Sequence, residues 1–80
     1  MKIIKTKKLN FISSFEYYDE ELDDYYNCYL YEAVVDTIPK ENKFILHDES
    51  ENNYYNCILD FILDNNKISF LIEECLNKTS

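Results

Sequence analysis

The apolar side chains between residues 16 and 38 recur every three or four positions, a spacing typical of an amphipathic helix. They are Leu22, Tyr25, Tyr26, Tyr29, Leu30, Ala33 and Val34. The opposite face of such a helix collects Glu16, Glu20, Asp23, Asp24 and Asn27. Pro39 favours an end at this point, because the residue before a proline is driven out of helical conformation. The pattern therefore predicts an acidic amphipathic helix over residues 16–38.

Two further helical patterns cover residues 50–64 and 68–77, and Asp64-Asn65-Asn66 between them is typical of a turn. The apolar runs over 57–63 and 68–72 also suit a β-hairpin, so both alternatives stand for this part of the chain.

Residues 1–10 form a basic arm whose segment 2–6 is β-prone, as is the segment 43–47. We expect these two segments either to pair or to remain extended. The predicted fold is α+β, a small single domain over residues 1–80 that is mainly helical, with about three helices and a short two-stranded β element. A chain this short buries roughly 60% of the surface its unfolded form exposes, so it forms no deep pocket. Association with a second copy is one way to supplement so small a core.

Charge divides the chain unequally. The net charge of −8 combines sixteen Asp and Glu with eight basic residues, all of them Lys. Residues 1–10 carry four Lys and no acid, whereas residues 11–80 carry four Lys and all sixteen acids, hence −12. The segment 16–36 alone holds eight acids and no Lys. An acidic surface of this density exceeds what solubility requires.

The composition excludes several classes of function. Because the chain has no Gly, it cannot build a phosphate-binding loop of the P-loop or dinucleotide type. Because it has no Arg, it lacks the bidentate clamp for phosphate, and its acidity opposes direct binding to nucleic acid or to an anionic membrane. No apolar run is long enough for a secretory signal or a membrane span, so we expect a cytoplasmic protein.

The candidate catalytic and metal-binding residues are few. Cys28, Cys57 and Cys75 are widely spaced and lie on apolar faces, which favours buried reduced thiols. His47 is the only histidine, and without a Cys-x-x-Cys pair it does not complete a convincing zinc site. The acids of 19–24 lack the Gly that a calcium loop needs. We expect no enzyme, no metal and no cofactor.

A short internal echo links two parts of the chain. Tyr25-Tyr26-Asn27-Cys28 recurs as Tyr54-Tyr55-Asn56-Cys57. Two related binding surfaces would explain the echo, because Tyr is enriched at interface hot spots. Chance combined with similar helix starts and core packing of Tyr and Cys is the favoured explanation, because two units are fewer than a solenoid needs.

In size, acidity and lack of motifs the chain resembles the small acidic inhibitors encoded by phages, anti-CRISPR proteins among them. The resemblance covers general character over the whole chain and transfers no functional residue. Together with the charge pattern it leads us to expect a non-enzymatic nucleic-acid mimic that binds a basic nucleic-acid-binding cleft of a protein partner in the host cytoplasm. The expected contact residues share the acidic face or its Tyr-rich edge: Glu16, Tyr17, Tyr18, Asp19, Glu20, Asp23, Asp24 and Asn27.

An interaction or dimerisation module is the alternative function. The chain is similar in the same general respects to the acidic immunity proteins that neutralise nuclease toxins. In this case the main surface would be the Tyr-rich apolar stripe instead of the acidic face.

Overall fold

The computed structural model describes residues 2–72, and six β-strands form this part of the chain. They are β1 (Ile3–Thr6), β2 (Asn10–Asp19), β3 (Asp24–Val34), β4 (Lys43–Asp48), β5 (Asn53–Ile62) and β6 (Lys67–Ile72). They form one sheet in the order β1-β4-β5-β6-β3-β2, in which β1 and β4 are parallel and all other neighbours are antiparallel. Residues 2–72 contain no helix, so the fold here is all-β.

The prediction of a mainly helical α+β fold is therefore wrong. The predicted helix over 16–38 is instead the end of β2, a turn and β3, and the predicted helix over 50–64 is β5. Of the predicted helix over 68–77, the part up to Ile72 belongs to β6, and the remainder lies outside the described residues. The physical reason is composition: Tyr, Phe, Ile and Val fit a pleated, half-buried surface better than a helix.

The predictions that allowed for β-strands agree better with the structure than the helical predictions do. Of the two interpretations of residues 57–72, the β-hairpin is correct, because β5 and β6 pair antiparallel around a turn at 63–66. The predicted pairing of the segments 2–6 and 43–47 is also correct, with Ile4 beside Leu46 in a parallel register. These pairs belong to a six-stranded sheet and not to a separate two-stranded element.

The sheet curls until β1, at one edge, lies beside the residues that directly follow β3. Thr6 and Val35 form an isolated antiparallel bridge, and the Asp36 N–H donates to the Lys5 carbonyl at 3.0 Å. The Thr6 hydroxyl also donates to the Val34 carbonyl at 2.8 Å. Residues 34–36 thus join β1 on one side while Val35 bonds Asn66, beside β6, on the other.

The core lies on the concave side of this curled sheet. Its buried members come from every strand except β2: Ile4, Ala33, Val35, Phe44, Leu46, Cys57, Ile68 and Phe70. Phe70 occupies the centre, with ring centroids 5.9 Å from Phe44 and 6.2 Å from Tyr31. Within residues 2–72 no helix exists that would be long and apolar enough to cross a membrane.

Candidate partner-binding site

The β2–β3 hairpin extends beyond the core. β6 pairs with β3 only from Leu30 to Val34, so the part of β3 from residue 24 to 29 pairs, among the described residues, with β2 alone. All residues of β2 from Asn10 to Tyr18 are exposed. Because strands advance by about 3.3 Å per residue, this two-stranded part and its turn reach roughly 20 Å from the base. We call residues 16–27 the hairpin tip.

All eight contact residues predicted from the sequence lie in the hairpin tip. Strand pairing places Glu16 opposite Asn27, Tyr17 opposite Tyr26, Tyr18 opposite Tyr25 and Asp19 opposite Asp24. Glu20 and Asp23 belong to the connecting turn. The prediction placed these residues on the acidic face of a helix and along its Tyr-rich edge. The structure instead places them on adjacent rungs of a ladder and in its turn, with Tyr17 and Asp19 on one face of the ladder and Glu16 and Tyr18 on the other.

Asp19 organises the turn that closes the hairpin. Its Oδ1 accepts the N–H groups of Glu21 at 2.9 Å and Leu22 at 3.3 Å, in the manner of an Asx turn. Asp23 has φ 53°, in the left-handed region that Asp and Asn tolerate better than most residues. This local chemistry makes a tight turn in a chain without glycine.

Tyr18 supports the turn from the neighbouring rung. Its hydroxyl donates to Asp23 Oδ1, and its ring lies 5.0 Å from the ring of Tyr25. The hydrogen bond to Asp23, with smaller effects of desolvation and of the nearby Asp19 charge, raises the pKa of Tyr18 above its ordinary value of 10.0. The phenol therefore stays protonated as a donor over the physiological range.

The hairpin tip concentrates negative charge. Six carboxylates lie within it: Glu16, Asp19, Glu20, Glu21, Asp23 and Asp24. The sequence has no Lys between residues 9 and 39, and the ion pair of Lys67 with Glu32 at 3.5 Å lies nearer the base of the hairpin. The ionisable side chains of the tip that are charged at neutral pH are therefore all negative, and such a concentration of one sign of charge can steer association with a basic surface.

Sequence reasoning missed three exposed members of this surface. Glu21 belongs to the same acidic run as its neighbours, and that run was the available signal. Leu22 and Tyr25 were assigned to the buried face of a helix, but Leu22 is 62% exposed and Tyr25 59% exposed. They add apolar contact area to the acidic tip.

The Tyr-Tyr-Asn-Cys echo marks two hairpins of the same design. Phe15 pairs with Cys28 in the β2–β3 hairpin, as Phe44 pairs with Cys57 in the β4–β5 hairpin. Each turn follows an aspartate that accepts hydrogen bonds from the turn, Asp19 or Asp48. Each turn ends in a residue with positive φ, 53° at Asp23 and 57° at Asn52. The repeated residues therefore occur in two hairpins with the same turn and the same strand register. They lie at the starts of strands and not at the starts of helices.

The two hairpins differ in what their equivalent faces contact. In β4–β5 the face containing Phe44, Leu46 and Cys57 is buried in the core. In β2–β3 the corresponding face is buried at Tyr26 and Cys28, but Phe15 is 45% exposed and Tyr17 48% exposed. The first hairpin thus leaves part of an apolar face open to a partner.

The structure also places the residues considered for catalysis and metal binding. His47 is half-buried, and its ring stacks on that of Tyr54 with the ring centroids 4.3 Å apart. Its Nε2 lies 2.8 Å from Asn52 Oδ1. Cys28 and Cys57 are buried. Among residues 2–72, no three His, Cys, Asp or Glu side chains are arranged to hold a metal ion. Cys75 lies outside the described residues.

Comparison of the chain with protein-family models, with curated proteins and with solved structures finds no match. Its function must therefore be argued from its own residues.

Proposed function

We propose that this protein is a non-enzymatic inhibitor that inserts its acidic hairpin tip into the basic nucleic-acid-binding cleft of an enzyme complex. One observation carries the proposal: six carboxylates and four exposed apolar or aromatic side chains share the end of a protruding two-stranded ribbon. The four are Tyr17, Tyr18, Leu22 and Tyr25. Small acidic phage-encoded inhibitors, which the chain resembles in general character, act on such targets in the host cytoplasm, and we propose the same setting here.

The shape of the hairpin tip suits this role. Paired strands lie about 4.8 Å apart, so a ribbon of two strands is narrow enough for a groove that accommodates nucleic acid. Carboxylates on both strands and in the turn replace the row of acids on a single helix that the sequence suggested. A basic cleft would attract this negative surface over a distance and orient it before contact.

The aromatic side chains supply the contact that charge alone lacks. Exposed charge pairs contribute little net affinity in water, whereas Tyr buries a large surface at low entropic cost. Tyr17 and Tyr18 adjoin the acids of the turn and can pack against the walls of the cleft while the carboxylates meet its Lys and Arg side chains.

A displacement assay tests the proposal. A labelled oligonucleotide is bound to each member of a panel of nucleases and RNA-guided effector complexes with basic clefts, and its release by this protein is followed by fluorescence anisotropy. We expect release from at least one member. Asp23→Asn/Asp24→Asn should raise the concentration needed by about tenfold or more, because it removes two carboxylates from the tip.

The chain supplies its own control for this variant. The second hairpin carries Asn52-Asn53 at the positions equivalent to Asp23-Asp24, so the substitution introduces residues already proven in the same turn. Glu49→Gln/Glu51→Gln removes the same number of charges from the second turn and should leave displacement nearly unchanged. Equal losses in both variants, or no displacement of any oligonucleotide by the native chain, would overturn the proposal.

A partner that recognises the apolar face instead is the second candidate, favoured by the exposure of Phe15 and Tyr17. In that case Tyr17→Ser would abolish binding, whereas Glu20→Lys/Asp23→Lys/Asp24→Lys would leave it intact. The acidic-tip proposal predicts that the charge reversal abolishes binding.

A further inference from the structure

Strand β2 forms a long open edge of the sheet. Among the described residues it pairs with β3 alone, and its ten residues include neither Lys nor Pro. The other edge strand, β1, has four residues and is closed off by the bridge from Thr6 to Val35. Proteins usually protect an exposed edge with Lys, Pro or a very short strand, because its free N–H and C=O groups invite pairing with another chain.

The first half of this edge is uncharged and carries three exposed apolar side chains. Residues 10–15 carry no charge, and Phe11, Ile12 and Phe15 are 58%, 44% and 45% exposed. A register shift between Phe11 and Ser13 is the only irregularity in its pairing with β3. An added strand would cover these side chains and satisfy the outward backbone groups at the same time.

The charges flanking this segment are arranged for pairing with a second copy. Lys7 and Lys8 precede β2, whereas Glu20 and Glu21 follow it. If two copies of β2 pair antiparallel with Ser14 opposite Ser14, Asn10 of each copy lies opposite Tyr18 of the other. The lysines just before β2 in one copy then come near the acids of the turn just after β2 in the other. Opposite charges facing each other across strands stabilise such a register.

A groove at the start of β2 matches the same arrangement. Three lysines, Lys5, Lys7 and Lys8, outnumber the two acids of its wall, Asp36 and Glu49, and the remaining lining is Thr6, Asn10, Val34 and Val35. In the antiparallel arrangement the acidic turn of the second copy passes beyond Asn10 and arrives at these lysines. The +4 charge of residues 1–10 and the acidity of the hairpin tip would then be two halves of one contact.

We infer that the protein forms a symmetric dimer in which the β2 strands of two copies pair antiparallel and each acidic turn meets the lysine-lined groove of the other copy. This inference rests on the β2 edge and the lysines, and it does not depend on the proposed function. Because Glu20 and Glu21 take part in both contacts, a basic partner competes with the second copy for the same turn.

Charge reversal with mixing tests the dimer by sedimentation velocity. Lys7→Glu/Lys8→Glu and Glu20→Lys/Glu21→Lys should each raise the dimer dissociation constant by about tenfold or more, because each places like charges across the interface. An equimolar mixture of the two variants should form a heterodimer at least as stable as the native dimer, since every facing pair is again opposite in sign. Recovery on mixing also shows that both variants are folded.

Two further measurements complete the test. Lys2→Glu/Lys40→Glu makes the same change in net charge at exposed positions outside β2 and the groove and should leave the dimer intact. Amide hydrogen exchange should show outward N–H groups of β2 becoming protected as the protein concentration rises. A native chain that remains monomeric up to about 1 mM would overturn the inference. So would a dimer that survives both reversals, or protection that appears only outside β2.

Discussion

Tyr18 donates its hydroxyl hydrogen to the carboxylate of Asp23 across the turn of the β2–β3 hairpin. This bond links an aromatic side chain of the tip to one of its acids, the residue whose backbone takes the left-handed conformation at the end of the turn. The contact belongs to the folded state only. The tip is thus preorganised before it meets a partner, which reduces the entropy lost on binding.

The Tyr18→Phe variant should lose less stability at alkaline pH than the native chain does. The folded state raises the pKa of Tyr18 above 10.0, chiefly through the bond to Asp23. The stabilisation is therefore complete below pH 10.0 and lost as the pH rises through the raised folded pKa. Urea unfolding below pH 10.0 and above the raised folded pKa should show a smaller decline in the free energy of unfolding for the variant than for the native chain. Equal declines would contradict the role of the bond.

The two turn aspartates should differ in their contribution to stability. Asp19→Ala removes the acceptor for two N–H groups in an exposed turn and should cost about 1 kcal/mol. Asp48 is buried and accepts from the Ser50 N–H and hydroxyl, so Asp48→Ala should cost about 2–3 kcal/mol. Asp19→Asn, which keeps an acceptor oxygen, is the control. Chemical denaturation measures all three, and a larger loss for Asp19→Ala than for Asp48→Ala would show that burial does not set these contributions.

Thr6→Val should loosen the junction between β1 and the end of β3. The substitution leaves the Val34 carbonyl without the Thr6 hydroxyl and should cost about 1–3 kcal/mol. Exchange of the Asp36 amide, which bonds the Lys5 carbonyl across this junction, should accelerate. Thr6→Ser keeps the hydroxyl and should leave that exchange slow. The same exchange rate at Asp36 in all three proteins would show that the hydroxyl does not hold the sheet closed.

Phe70→Ala should cost about 3–5 kcal/mol, because the ring is fully buried between Phe44 and Tyr31 and its loss leaves a cavity. Phe61 offers the matched control, since it is 66% exposed and its truncation should change the free energy of unfolding by less than about 0.5 kcal/mol. Similar effects of the two substitutions would place the core elsewhere.

The helical prediction failed for reasons visible in particular residues. The apolar side chains of 25–34 are so dense that they satisfy the helical spacing and the alternation of a strand equally well. The turns were hidden because the chain has no Gly, and Asp23 and Asn52 take the left-handed conformations instead. Acids at 19–24 suited the first turn of a helix and concealed a hairpin turn. The β-branched and aromatic composition favours strands, but the pairing between strands far apart in the sequence is tertiary and is not contained in any local pattern.

The eight predicted contact residues lie near one another even though the fold prediction was wrong, and their role as partner contacts stays a prediction. The acids and tyrosines of 16–27 are close in sequence, so either a helix or a hairpin would bring many of them together. What the sequence does not indicate is which side chains face outward. Tyr26 and Tyr25 are neighbours of the same type, yet one is buried and the other exposed, because the ladder with Tyr17 and Tyr18 sends them to opposite faces.

The central claim, that the acidic hairpin tip occupies a basic nucleic-acid-binding cleft, is tested most directly by the salt dependence of association. With an enzyme from which the native chain displaces an oligonucleotide, stopped-flow association rates are measured across a range of ionic strength. We expect the rate to fall steeply with added salt for the native chain and less steeply for Asp23→Asn/Asp24→Asn, because fewer charges steer the encounter of the variant. An association rate that does not change with salt, or the same slope for both proteins, would contradict it.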